Sequence, residues 1–167
     1  MNSHFSWPCH SVLVPCFLLL AAGSARAQVA LEHIFPPAIQ VGKSSLVTAE
    51  GKFPSWPVSV YCDRPDITVT PAKDSGKLEI QVPQNAQQGI AWLRLHDAKS
   101  ASNLAPILIE RTPVETETEP NDRPSEAKLM GSNIAIAGRL EKRGDVDTFQ
   151  VQLNANETLV VTTIANQ

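Results

Sequence analysis

The chain has 167 residues, with 14 Lys and Arg against 17 Asp and Glu, a formal net charge of −3, and three cysteines. Its length admits one large domain or two small ones, since domains most often run to about 100–150 residues. The acidic balance argues against a nucleic-acid binder, because holding phosphates needs clustered Lys and Arg.

At the start, the apolar run SVLVPCFLLLAAG (residues 11–23) leads into SARAQ, where Ala25 and Ala27 form an A-x-A cleavage signal. A membrane-spanning helix needs about 20 apolar residues, which this run lacks. Residues 1–27 are therefore expected to be a secretory signal peptide, cut after Ala27. The departure from the pattern is that only His4, His10 and the terminal amine precede the apolar run, with no Lys or Arg. Cleavage removes Arg26, Cys9 and Cys16, which makes the chain one unit more acidic and leaves Cys62 without a disulfide partner. The expected location is secreted, periplasmic or cell-surface, with no membrane span after cleavage. Cys62, beside Tyr61 in a strand-like run, is expected to be a small buried hydrophobe rather than a reactive or pairing thiol.

From residue 28 to 112, short runs rich in Val, Ile and Leu recur between turn formers: SSLVTAEG, VSVYC, ITVT, KLEIQVP, IAWLRLHD and APILIE. Leu78, Ile80 and Val82 alternate with Lys77, Glu79 and Gln81, and Ala91, Leu93 and Leu95 alternate with Ile90, Trp92, Arg94 and His96. Each such strand has one face to bury. The stretches FPPAIQVGKS, GKFPSWP, DRPD, AKDSGK and PQNAQQG read as turns, by the fixed φ of Pro and the free φ of Gly. The expected fold is all-β, beginning with a sandwich. IFPPAIQVGKSSLVTAEGKF and VPQNAQQGIAWLRL resemble the immunoglobulin-like and TIG-like modules of secreted bacterial proteins, a resemblance that implies a scaffold or binding module.

Residues 113–123 lack large apolar side chains apart from Val114 and read as an acidic linker, after which residues 124–167 begin a second β-rich unit. NIAIAGRL, DTFQVQL and ETLVVTTIA supply three expected strands. Three strands close a core poorly and leave an open edge, so this unit is expected to be truncated.

In ETETEPNDRPSEA (residues 115–127), an extended backbone puts Glu115, Glu117 and Glu119 on one face about 6.6 Å apart, given a rise of about 3.3 Å per residue. Two carboxylates at that spacing repel by about 0.6 kcal/mol in water and about 2.5 kcal/mol at an effective dielectric near 20. They are tolerable in solvent and costly against protein. Further on, Asp145 and Asp147 share strand parity with Phe149, Val151 and Leu153, at the rim of an expected core. Such a pair needs compensation from Lys142, from Arg143 or from a bound cation, and calcium takes six to eight oxygen ligands. Asn121 and Asp122 have a second reading as N-caps of the short turn RPSEAKL.

ETEPNDRPSEA, followed by IAGRL and GDVDTFQVQL, resembles the bacterial pre-peptidase C-terminal domain over about residues 115–167. That resemblance implies a jelly-roll-like β-sandwich appended to secreted proteins, with calcium as the cofactor. It implies Glu117, Glu119, Asn121 or Asp122, Asp145 and Asp147 as ligands, with Glu115 outside the motif as solvated linker. Thr148 stands where the family commonly has an aromatic residue.

RGD at residues 143–145 and the sequon NET at residues 156–158 are short matches; the first overlaps the calcium motif and the second reads as a turn. No nucleophile elbow, H-E-x-x-H or phosphate loop occurs in the sequence. His96 reads as a surface histidine, and Trp56, between Pro54 and Pro57, as packing over the sandwich end. The expected function is that of a non-catalytic secreted accessory module for adhesion or substrate targeting, with an extracellular protein or polysaccharide as partner. The competing expectation is the N-terminal part of a longer secreted peptidase or other hydrolase.

Overall fold

The computed structural model describes residues 28–165, so the expected signal peptide lies outside the described residues. Eight strands build the first unit: β1 (Ala30–Phe35), β2 (Ala38–Gln40), β3 (Ser44–Lys52), β4 (Ser59–Cys62), β5 (Thr68–Pro71), β6 (Lys77–Gln81), β7 (Gly89–His96) and β8 (Ala105–Glu110). One sheet has the order β1-β3-β6-β5 and the other β2-β8-β7-β4. Every pairing is antiparallel except that of β2 with β8.

With β2 set aside, the order matches the two sheets of an immunoglobulin constant-type sandwich, A-B-E-D against G-F-C. Alternation along each strand explains why the sheets pack. β7 turns Ala91, Leu93 and Leu95 inward and leaves Ile90 and Trp92 exposed, while β8 turns Ala105, Ile107 and Ile109 inward. Leu78 and Ile80 of β6 and Val47 of β3 meet them from the opposite sheet in one apolar core. Burying each such side chain contributes roughly 1.5–3 kcal/mol, which serves in place of the disulfide that other domains of this architecture use.

Two glycine-dependent features shape the edges. The β1–β3 ladder shifts register between Leu31 and His33, opposite Gly51. Gly51 has a φ of +155°, and a Cβ there would sit 2.1 Å from the Ala30 carbonyl oxygen, so the close approach requires glycine. Trp56 is partly buried against the core, donates from Nε1 to the Ala72 carbonyl at 2.8 Å and meets Phe53 edge-on. It packs over the sandwich as expected. Cys62 is also packed against the core, and burial pushes its thiol pKa up, which suits a structural residue.

The stretch FPPAIQVGKS, expected to be only turn, contains β2, whose partner β8 lies some seventy residues away in sequence and so is invisible to local pattern. Residues 113–123, expected to be linker, contain β9 (Val114–Thr116), which pairs in parallel with β11 (Ala135–Ala137). A second parallel pair joins β10 (Lys128–Met130) to β12 (Phe149–Val151). The strand expected at ETLVVTTIA does not form. Residues 157–165 join no ladder, and Leu159, Val160, Val161 and Ile164 are exposed, although the two-stranded pairs of this unit have open edges. Asn156 adopts φ 70° in a turn closed by Glu157 N donating to the Asn154 carbonyl at 3.2 Å. No helix among the described residues is long and apolar enough to cross a membrane.

Candidate metal centre

Three backbone segments bring the carboxylates together. The β9–β11 ladder continues one step further, with Glu117 N donating to the Ala137 carbonyl at 3.1 Å, and this sets the Glu117 side chain beside Gly138. The chain then turns at Pro120, where Asn121 N donates to Glu119 Oε2 at 3.0 Å. Finally Thr148 N donates to the Asn121 carbonyl at 3.0 Å, which draws the segment carrying Asp147 onto the turn.

Carboxylate oxygens of Glu117, Glu119 and Asp147 consequently lie within 4.8 Å of one another. At that separation each ionised pair repels by about 3.5 kcal/mol at an effective dielectric near 20. Among the described residues no Lys or Arg forms an ion pair with any of the three. What they receive instead is neutral: Arg139 donates its backbone N–H, not its guanidinium, to Glu117 Oε1, and Asn121 Nδ2 donates to Glu117 Oε2 at 3.4 Å. Burial, and then the Asp147 charge, raises the pKa of Glu117, against the lowering effect of the Arg139 amide. Burial, and then Asp145, raises that of Asp147.

Two oxygens in this cluster have no partner. Asn121 is 2% exposed, yet its Oδ1 accepts no hydrogen bond, and Asp147 Oδ1 is likewise buried and unpartnered. A buried polar atom left in that state costs about 1–3 kcal/mol. The donor set is all oxygen, which suits a hard cation; zinc prefers nitrogen and sulfur, and magnesium holds its waters in a stricter octahedron. Calcium, with its flexible coordination, fits three carboxylates that can bind through one or two oxygens together with one amide oxygen. Gly138 makes the space: a Cβ there would lie 2.9 Å from Glu117 Oε2 and 3.4 Å from Asp147 Oδ2.

The six ligands that the resemblance implies thus divide. Glu117, Glu119, Asn121 and Asp147 converge. Asp122 and Asp145 sit instead on either side of Lys142, at 3.5 and 3.6 Å from its Nζ. Asp145 is pinned with its side chain only 2% exposed, and Glu141 N donates to its Oδ2 at 2.5 Å. That amide, aided by Lys142, holds its pKa below the usual carboxylate value. A buried and bonded Asp145 cannot serve as the tip of an RGD recognition loop. Neither Asn121 nor Asp122 caps a helix, because residues 123–127 form only a turn before β10. Glu115, expected to be free in solvent, lies in β9 and meets Lys128 at 3.5 Å.

Sequence reasoning missed Gly138 and the Arg139 amide. Their signal was the small-residue stretch IAGRL, which followed the acidic motif but contains no ligand type. The Arg139 side chain turns away to the first unit, where it forms a two-pronged ion pair with Glu50 of β3 at 2.5 and 2.9 Å.

No family model matches the chain, and no curated protein matches it. Among solved structures, a chimeric titin Z1Z2 functionalised with a KLER exogenous peptide from decorin is similar at 14% identity, with a TM-score of 0.30. The match covers 55% of this chain and 58% of that one. The strand order and the continuous apolar core make the first unit a β-sandwich.

Proposed function

We propose that this chain is a non-catalytic secreted accessory module, with a sandwich that presents a binding surface and a second unit held together by calcium, serving adhesion or substrate targeting. The observation that carries the calcium reading is the cluster of Glu117, Glu119 and Asp147 without a side-chain cation, next to the unpartnered buried oxygen of Asn121. The resemblance of residues 115–167 to the pre-peptidase C-terminal domain supports the same ion and, among its implied ligands, Glu117, Glu119, Asn121 and Asp147; Asp145, which it also implies, and Asp122 are bonded to Lys142 instead. Bound there, calcium supplies positive charge and ligand bonds to a unit with little apolar core; it performs no chemistry on a substrate. Export through the N-terminal leader agrees with this role, since extracellular calcium is abundant enough to fill modest sites.

The test is thermal unfolding of the chain with calcium, with magnesium and with chelator. Calcium at about 100 times its dissociation constant adds about 2.7 kcal/mol. Asp147→Asn and Glu119→Gln each remove most of that gain. An unchanged melting temperature in the unsubstituted chain overturns the proposal.

A further inference from the structure

Far from the carboxylates in sequence, the first unit carries an open cleft of about 540 Å³, lined by Arg64, Asp66, Asn85, Gln87, Gln88 and Ile90. It is open to solvent rather than enclosed, a shape that suits an extended ligand lying across it and not a small molecule held inside. Its charges are internally spent: Arg64 Nε and Nη2 donate to the two Asp66 carboxylate oxygens at 3.0 and 2.8 Å. Arg64 Nη2 also donates to the Gln87 carbonyl at 3.2 Å, and Gln88 Nε2 donates to Glu110 Oε2 at 2.6 Å. What the cleft offers a ligand is therefore the exposed carboxamides of Asn85 and Gln87, each carrying both donors and an acceptor.

One side of the cleft is apolar and runs onward. Ile90 lines the cleft and is 45% exposed; Trp92, two residues along β7 on the same face, is 39% exposed, and successive side chains on one face stand about 6.6 Å apart. Tyr61 of β4, opposite Arg94 in the ladder, is 52% exposed and extends the strip across the sheet. Exposed Trp and Tyr on a rigid sheet combine apolar faces with a polar edge.

We infer that the cleft and the Trp92–Tyr61 strip form a binding site for a neutral polysaccharide. A sugar chain has both properties the surface asks for: C–H faces that stack on aromatic rings, and hydroxyls that both donate to and accept from carboxamides. Within the cleft an anionic ligand finds no free cation, since Arg64 is committed to Asp66, and a divalent metal finds no free carboxylate, since Asp66 is committed to Arg64; the exposed cation of the strip is Arg94, opposite Tyr61, and the salt dependence of binding reads its contribution. The inference rests on reading the chain as a binding module and assigns that role a place and a ligand class.

The test is affinity electrophoresis of the full chain in gels containing hydroxyethyl cellulose, xylan, galactomannan or glycol chitin, with polygalacturonate as the acidic comparison. At least one neutral polymer is expected to retard the protein, with little dependence on salt. Trp92→Ala and the double variant Asn85→Ala, Gln87→Ala are each expected to weaken retardation about tenfold or more, the first by removing the stacking face and the second by removing the carboxamides. The absence of retardation by every neutral polymer overturns the inference, as does retardation that survives either variant. Retardation by polygalacturonate alone, lost as salt is raised, also overturns it and points to Arg94 acting by charge. Thermal unfolding with and without calcium on the same samples reads the calcium site separately, so either proposal can fail without the other.

Discussion

The two units of this chain solve the same problem, closing a set of short strands, by different means. In the sandwich the buried residues are almost all apolar, from Val29 at its start to Ile109 near its end, and the sheets meet over a continuous core. In the second unit the buried residues among those described are Met130, Ala137 and the polar Asn121, while Leu129, Leu140, Val146 and Leu153 remain exposed. Its strands are three residues long, and its cohesion runs through backbone amides and carboxylates around Glu117 and Asp147. A unit with little apolar surface to bury must draw stability from elsewhere, as small domains do with metals. The first unit is held by apolar burial, whereas the described contacts of the second are mainly polar.

The comparison can be broken most directly in the sandwich core. Leu93→Ala, at a side chain 1% exposed, is expected to cost about 2–5 kcal/mol in urea unfolding, with or without calcium. If the cost falls mainly on a calcium-dependent transition, the division between the units is wrong. Next in size is Gly138→Ala, whose new methyl collides with Glu117 Oε2. Because the atom displaced is the free end of a flexible side chain, the cost in chelator is expected to be under about 1 kcal/mol, and the main effect is loss of the calcium-induced rise in melting temperature while the sandwich transition stays in place.

Acid titration sharpens the contrast further, because the carboxylates shift in opposite directions. Glu117 and Asp147 have raised pKa values in the folded state. Their contribution to stability is present when they are protonated, below their unfolded values, and is lost as pH rises through the raised folded ones. Glu50, lowered by its bond to Arg139, and Asp145, lowered chiefly by the Glu141 amide, behave the other way. Their contribution is present above the unfolded values and is lost as pH falls through the lowered folded ones. In chelator, Asp147→Asn, which mimics the protonated form, is therefore expected to raise the melting temperature at neutral pH; with calcium present it lowers it. A fall in both conditions would contradict the repulsion argued for the cluster.

The smallest effect is expected at the ion pair that joins the units. Arg139 and Glu50 are 44% and 35% exposed at the side chain, so solvent screens them. Arg139→Ala should cost less than about 1 kcal/mol, and a double-mutant cycle with Glu50→Ala isolates the pair. A larger coupling energy would mean that the units unfold together.

Much of the sandwich was legible in the residues. The alternation in KLEIQV and IAWLRLH separated Leu78 and Ile80 from Lys77 and Glu79, and Leu93 and Leu95 from Trp92 and Arg94, because a strand against a core shows its period of two directly; the structure buries the first face of each. β2 was not legible, being three residues between turn formers whose pairing with β8 depends on the rest of the sandwich. The reverse failure occurred at ETLVVTTIA, where strand-forming residues found no ladder among the described strands. Propensity for a strand is realised only when a neighbour supplies hydrogen bonds and a covered face.

The candidate site was legible as chemistry and not as geometry. The sequence alone determined which side chains are carboxylates or carboxamides and that Glu117 and Glu119, like Asp145 and Asp147, share a face; the resemblance to the pre-peptidase C-terminal domain joined these to Asn121 and Asp122 as one implied ligand set. Only the tertiary structure decided that Lys142 holds Asp122 and Asp145, that Asp147 joins Glu117 and Glu119 beside Gly138, and that Asn121 is buried with an oxygen unmatched. The physical reason is that charge belongs to a residue, whereas repulsion, burial and an unpaired hydrogen-bond acceptor belong to distances between residues far apart in the chain.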